Sequence, residues 1–196
     1  FVSSSLKSQD AIQLLQAIQR LDGANSVQEY TSINDQLEKM ALLFPKNWLV
    51  QYYASLGYAF MSAKGFDPSE QHIEKSILYM QKAKQIEAND EVYCLESFVY
   101  SIKMSKSPYT RWLVYKNRIL ESLETAQRLN PDNPRVYILK ASVQKNIPSW
   151  LGGGCTSAKK YIQLASEKWV TQSINTIQPH WGAGTLAALK KGCQLF

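Results

Sequence analysis

The sequence predicts an all-α protein: an α-α superhelix of stacked antiparallel helix hairpins, about nine helices in one domain over residues 1–196. Three observations carry this. Apolar residues recur three and four apart along most of the chain, capping and helix-stopping residues punctuate it regularly, and the stretches around the helix ends repeat. No segment alternates over five or more residues with β-branched enrichment, so no sheet is expected. A chain of 196 residues is long enough to bury roughly 70% of its unfolded surface. With 45% hydrophobic and 19% charged residues, 9 Gly and 7 Pro, collagen-like, low-complexity and disordered classes are excluded.

The elements follow in order. Ser8 precedes Ile12, Leu14, Leu15, Ile18 and Leu21 on one helical face, and Asp22-Gly23 stops the run because such residues tolerate left-handed geometry. Ser26-Val27-Gln28-Glu29 has capping-box spacing and leads into Tyr30, Ile33, Leu37, Met40 and Leu43, ending at Pro45. Asn47 caps a third helix through Trp48, Tyr52, Leu56 and Phe60, stopped at Gly65. Asp67-Pro68-Ser69-Glu70 offers a cap, a Pro at the first helical position and a reciprocal Glu for a fourth, running to about Ile86. Asp90 opens a fifth through Tyr93, Leu95, Phe98 and Ile102; Ser107-Pro108 separates it from a sixth over Tyr109–Leu129. Asn133-Pro134 opens the seventh, Gly152-Gly153-Gly154 precedes the eighth, and Pro179 precedes the ninth.

The helix ends repeat with a period. Met40-Ala41-Leu42-Leu43-Phe44-Pro45 is echoed by Ala83-Lys84-Gln85-Ile86-Glu87-Ala88 and by Ala126-Gln127-Arg128-Leu129-Asn130-Pro131, so Met40, Ala83 and Ala126 stand 43 residues apart. Asn89-Asp90-Glu91-Val92-Tyr93 returns as Asp132-Asn133-Pro134-Arg135-Val136-Tyr137, 44 residues on, and Pro179-His180-Trp181 follows another 44 along. These residues resemble the tetratricopeptide repeat, whose helix pair normally spans about 34 residues. Its Trp-x-x-Leu-Gly element is represented only by Ser55, Leu56, Gly57 and Tyr58, and longer helices and loops absorb the extra length. The repeat reading divides the chain into an N-terminal helix pair over about 8–44, repeats over about 45–88, 89–131 and 132–178, and a capping helix over about 179–195.

A closer resemblance rests on Phe44-Pro45-Lys46-Asn47-Trp48, Asn130 through Tyr137, Pro148-Ser149-Trp150-Leu151-Gly152-Gly153-Gly154 and Pro179-His180-Trp181-Gly182. Their order is similar to that of an exported, tetratricopeptide-like family of Bacteroidetes-type bacteria. That resemblance implies an all-α periplasmic or exported protein and supplies neither ligand nor catalytic residues. A start at Phe1 rather than Met agrees with a processed chain from which a targeting peptide has been removed.

Charge is uneven. The first hundred residues hold 8 Lys plus Arg against 12 Asp plus Glu, and the remainder 14 against 4, within an overall charge of +6. A basic second half can steer anionic partners, but the cations are scattered, with only the doublets Lys159-Lys160 and Lys190-Lys191, and no nucleic-acid-binding module is legible. No apolar run reaches the 18 or so residues of a membrane span, so a soluble chain is expected. Cys94, Cys155 and Cys193 lack Cys-x-x-Cys spacing, which speaks against a zinc site and a disulfide framework. At most one bridge can form, with Cys155 and Cys193 the candidate pair and Cys94 a small core residue.

Trp150-Leu151-Gly152-Gly153-Gly154-Cys155-Thr156-Ser157 is the most distinctive local feature. Three glycines feed a helix N-terminus whose free amides could hold an anion, with Lys159 and Lys160 nearby. No Lys follows the last glycine, so it is not a phosphate-binding Walker loop. The structural alternative is a sharp connection in which Gly supplies positive φ and Thr156 or Ser157 caps the helix. His72 and His180 have no metal partner at helical spacing; His180 is expected to pack at or cap a helix start. Trp112 and Tyr115 share a helix face and are candidates to read a peptide on a concave surface, although most aromatics should be inter-helix core. No nucleophile elbow and no catalytic trio occur, so no enzyme, cofactor or metal is expected. The first functional expectation is a non-catalytic scaffold binding a protein or peptide in the cell envelope. The alternative is a small-ligand or anion carrier using Gly152–Gly154 and the basic C-terminal half.

Overall fold

The computed structural model describes residues 6–66, 69–170 and 176–194. Among them lie nine α-helices and no strand: α1 Ser8–Gly23, α2 Val27–Leu43, α3 Trp48–Ala63, α4 Gln71–Ile86, α5 Asp90–Ser105, α6 Pro108–Leu129, α7 Pro134–Asn146, α8 Gly154–Trp169 and α9 Ala183–Gly192, with one 3-10 turn at Ser149–Leu151. The helices pack as successive hairpins, most closely α3 on α4, α5 on α6 and α7 on α8. Each odd helix also touches the next odd helix, from α1 through α9, whereas the second helix of each hairpin meets the first helix of the following one. The odd layer is therefore the shorter, inner arc of the stack.

The sequence period reappears as a period in capping. The amides of Phe44, Glu87 and Asn130 close α2, α4 and α6 by donating to the carbonyls of Met40, Ala83 and Ala126 at 2.8, 2.9 and 2.9 Å. Those three residues are buried; a small or flexible side chain there lets the neighbouring helix approach. Asn47, Asn89 and Asn133 open α3, α5 and α7, their side-chain oxygens accepting from the amides of Val50, Val92 and Arg135 at 3.1, 3.0 and 2.9 Å. Each such cap is worth about 1 kcal/mol. The last copy slips. Tyr93 and Tyr137 are each the fourth residue of their helices, whereas Trp181, 44 positions beyond Tyr137, lies ahead of α9. Pro179 leads into a non-helical segment, and Gly182 (φ 114°) turns the chain into α9.

Two starts differ from expectation. The Ser26–Glu29 capping box forms, and α1 begins at Ser8. Asp67 and Pro68, expected to open α4, lie outside the described residues. Glu70 holds the cap position of α4 in left-handed geometry (φ 61°) and makes no cap hydrogen bond. Its carboxylate accepts instead from Lys103 at 2.8 Å and Arg111 at 3.0 Å, because two cations from α5 and α6 outcompete the helix amides. At α8 the cap is Gly153, without a side-chain bond.

α3 is apolar on nearly every face and is correspondingly the most enclosed helix, with Leu49 through Ala59 buried without interruption. Gly57 is why α2 can lie so close: a Cβ there would overlap the Asn34 side-chain oxygen. Gly57→Ala is expected to destabilise the protein by about 1–3 kcal/mol, the overlap outweighing alanine's better helix propensity of about 1 kcal/mol. A denaturant melt with unchanged slope checks this.

Polar side chains fasten the hairpins. Glu96 on α5 is almost completely enclosed and accepts from Lys84 of α4 at 2.6 Å, Arg118 of α6 at 3.0 Å and Ser122 of α6 at 3.0 Å. Cys155 and Cys193 form a disulfide that ties the start of α8 to the end of α9, and Cys94 is a buried free thiol. No helix among the described residues is long and apolar enough to cross a membrane.

Candidate ligand cleft

Residues 176–182, ahead of α9, lie over the inner arc, and their anchor is Trp181. The indole Nε1–H donates to the buried Tyr52 hydroxyl of α3 at 2.5 Å. The ring lies against Phe98 of α5, centroids 5.0 Å apart, and edge-on to Phe60 of α3 at 6.1 Å. Phe60 and Phe98 also meet edge to face at 5.9 Å. The three rings thus form one continuous aromatic surface. The turn that follows needs Gly182, since a Cβ would press on Ile138 at 3.0 Å in addition to the positive φ.

Above this surface opens a cleft of about 750 Å³, bounded by Leu21 and Asp22 of α1, Tyr30 of α2, Lys64 after α3, Trp169 of α8, and residues 180–185. That volume suits a small-molecule site. Other depressions differ in kind: one of about 690 Å³ beside Glu70, Glu74, Lys75 and Lys103 is lined by charged groups already paired with one another or with neighbours.

Polar character enters the cleft at its rim. His180 places Nε2 3.0 Å from an Asp22 carboxylate oxygen and Nδ1 2.9 Å from the Gln178 carbonyl. The Asp22 hydrogen bond, opposed by partial burial and reinforced by Gln178, holds the imidazole pKa above its ordinary 6.5. Lys64, also at the cleft, is exposed. Among the described residues no group of three or more His, Cys, Asp or Glu is arranged to hold a metal ion. His72 stacks on Tyr58, centroids 5.8 Å apart.

The residues singled out from the sequence lie elsewhere. Gly152 and Gly154 adopt positive φ (83° and 82°), and a Cβ at Gly153 would strike the Ile147 carbonyl, so the glycines make a tight connection into α8. Ser157 donates to the Gly152 carbonyl at 2.6 Å, while Thr156 is exposed within α8 and caps nothing. Trp150 is largely exposed, and Lys159 and Lys160 point outward, Lys160 over the Tyr161 ring at 4.8 Å. Tyr115 stacks on Tyr100 at 5.5 Å, and Trp112 lies half-buried with Lys116 over its ring at 6.0 Å. None of these residues lines the cleft. His180, expected at a helix start, precedes the α9 cap and reaches across to α1 instead. Tyr30, Phe60, Phe98 and Trp169 carried no signal beyond helical periodicity; Pro179-His180-Trp181 did stand out, as a landmark of the period.

No family model matches the chain, and no curated protein matches it either. Among solved structures, the HusA haemophore from Porphyromonas gingivalis has the same fold: TM-score 0.83 at 22% identity, covering 97% of this chain and 95% of that one.

Proposed function

We propose that this protein is a non-catalytic carrier of a flat, largely apolar small molecule, with haem-type tetrapyrroles as the cargo class and the aromatic cleft as the seat. The observation that carries the reading is the continuous Phe60–Phe98–Trp181 surface beneath a cleft of about 750 Å³. A planar ring system gains most from such a wall, by apolar burial and by offset or edge contacts worth about 0.5–1.5 kcal/mol each beyond burial. The likeness in fold to a protein described as a haemophore supports the choice of cargo. Lys64 at the cleft suits a carboxylate substituent. The repeated capping pattern supports kinship with tetratricopeptide repeats, and the disulfide together with the haemophore likeness supports export to an oxidising compartment.

Titration with haemin, followed by the absorbance of the ligand and quenching of tryptophan fluorescence, is expected to give a Kd of about micromolar or tighter. Trp169→Ala, at the cleft wall and partly buried against the core, is expected to weaken binding about tenfold, which corresponds to about 1.4 kcal/mol, measured well below the variant's own lowered melting temperature. Absence of saturable binding by haemin and by other planar tetrapyrroles rejects the reading. A protein-docking role is the second reading, favoured by the exposed Tyr109, Leu113 and Val114 at the start of α6; recovery of a stoichiometric protein partner, lost on Leu113→Asp, supports it.

A further inference from the structure

The Asp22–His180 contact joins the two ends of the stack, residues 158 positions apart. One partner sits at the end of α1 and the other on the segment that lies over the inner arc, and both line the cleft. The contact also has an unusual requirement for protons. Nδ1 faces the Gln178 carbonyl and Nε2 faces the Asp22 carboxylate, both within hydrogen-bond distance. A carbonyl oxygen cannot donate, nor can an ionised carboxylate, so only a ring with hydrogen on both nitrogens donates to the two acceptors at once. The two contacts together favour the imidazolium. A neutral ring has one N–H and satisfies one of the two acceptors, and the other nitrogen then turns a lone pair toward an oxygen.

We propose that Asp22 and His180 form a proton-operated clasp across the mouth of the cleft, closed while the imidazole is charged and open once it is neutral. The inference rests on the carrier reading for its consequence, the exchange of cargo, but not for the clasp itself. The moving part is confined to the rim. Trp181 stays fixed by Tyr52, Phe60 and Phe98, so loss of the Asp22 contact frees the His180 side chain and the chain just before it without dismantling the aromatic floor.

Among the described residues, each charged or titratable group that faces the ring has a definite sense. Asp22 on α1 and the Gln178 carbonyl on its own segment favour the imidazolium. Arg135 on α7 opposes it, and is itself engaged by Glu91 of α5. Lys64 after α3 and the amide end of α9 at Ala183 to Thr185 also face the cleft and act in the same sense as Arg135. Tyr30 on α2 and Tyr53 on α3 are held in the neutral phenol form by burial. The balance falls to Asp22, the one group among the described residues in hydrogen-bond contact with the ring that carries a full negative charge. Because the folded pKa lies above the ordinary 6.5, the clasp is fully formed below that value and is lost as pH climbs through the raised one. Cargo exchange is therefore slow in mildly acidic surroundings and faster in mildly alkaline ones.

The test has two independent readouts on the intact chain. The first is an NMR pH titration of the His180 ring without any cargo, in wild type and in Asp22→Ala. Asp22 is exposed and stands at a helix C-terminus, where a carboxylate is unfavourable, so the variant is expected to fold. The wild-type ring is expected to titrate above 6.5, and Asp22→Ala to bring it down toward that ordinary value, because the Asp22 hydrogen bond is the first cause of the rise. The second is the association rate of haemin, read by tryptophan quenching. It is expected to rise roughly threefold between about pH 6 and pH 8.5 in wild type, while Asp22→Ala is fast and flat across the same range. A His180 ring that titrates at or below its ordinary value, or is indifferent to Asp22→Ala, overturns the clasp whatever haemin does. A rate profile of the same slope in both proteins overturns it as well. A raised, Asp22-dependent titration with no haemin binding at any pH supports the clasp and rejects the carrier reading instead.

Discussion

Arg135→Ala is expected to cost about 3–5 kcal/mol of stability, the range for breaking a buried ion pair from one side. Arg135 is 2% exposed. Its guanidinium makes a fork with Glu91 of α5, with Nε 2.7 Å from one carboxylate oxygen. Asn133 donates to the same carboxylate at 2.8 Å and to Asp90 at 2.8 Å, and Asn130 donates to Asp90 at 2.9 Å. The cluster thereby joins the starts of α5 and α7 and the turn before α7. Burial pushes the Glu91 carboxyl pKa up, against the pull of Arg135 and Asn133. Once Arg135 is removed the upward push has less opposition, and a protonated Glu91 becomes the cheaper native form. The native variant then binds a proton that the unfolded chain has released, so its deficit grows with rising pH. Denaturant melts should show a smaller loss at about pH 4.5 than at about pH 7.5. Arg135→Lys is expected to fall between, because an ammonium keeps the charge and loses the fork. The pair Glu91→Gln with Arg135→Met should recover most of the loss, since no uncompensated charge remains in the interior. Equal stability of Arg135→Ala and wild type at neutral pH rejects this account.

Removal of the Cys155–Cys193 bridge is expected to cost about 2–4 kcal/mol, the range for cross-links closing loops of this size; the two cysteines stand 38 residues apart. The loss should also be local. α9 spans 10 residues, below the roughly 12–15 at which isolated helices become even marginally stable. It buries only Leu186 and Leu189, so the covalent tie supplies much of what holds it on α7 and α8. Hydrogen exchange in Cys193→Ser should therefore accelerate over Ala183–Gly192 well before α3 or α5 is affected. Because Ala183, Gly184 and Thr185 form one wall of the cleft, the same variant is expected to bind haemin more weakly. Cys94→Ala supplies the control, since it removes the free thiol buried in α5, away from the cleft, without burying a hydroxyl. Uniform exchange in both variants, or an unchanged melting temperature on reduction, rejects the assignment.

These effects bear on what could be read beforehand. The helix starts at Asn47, Asp90 and Asn133 and the ends set by Met40, Ala83 and Ala126 were legible because capping is local: donor and acceptor lie within four residues, and the sequence holds both, although the cap of α5 is Asn89, one residue ahead of Asp90. The Glu70 carboxylate was misread, since in Asp67-Pro68-Ser69-Glu70 it looks like the reciprocal Glu of a capping box until Lys103 and Arg111 arrive from 33 and 41 residues away. Trp112, Tyr115, Trp150 and the glycine turn drew attention because they are conspicuous in one dimension. The cleft draws on residues from Leu21 to Thr185, each ordinary in its own helix.

By itself, then, the sequence determined the all-helical class, the positions of the breaks and the period that makes hairpins stack, because each depends on backbone hydrogen bonds and side chains a turn or two apart. Only the tertiary structure decided that Cys155 pairs with Cys193, that Trp181 closes the inner arc against Tyr52, and that His180 meets Asp22. Those contacts depend on the rotation accumulated from hairpin to hairpin. That rotation is the sum of many small packing preferences, and no short stretch of chain encodes it.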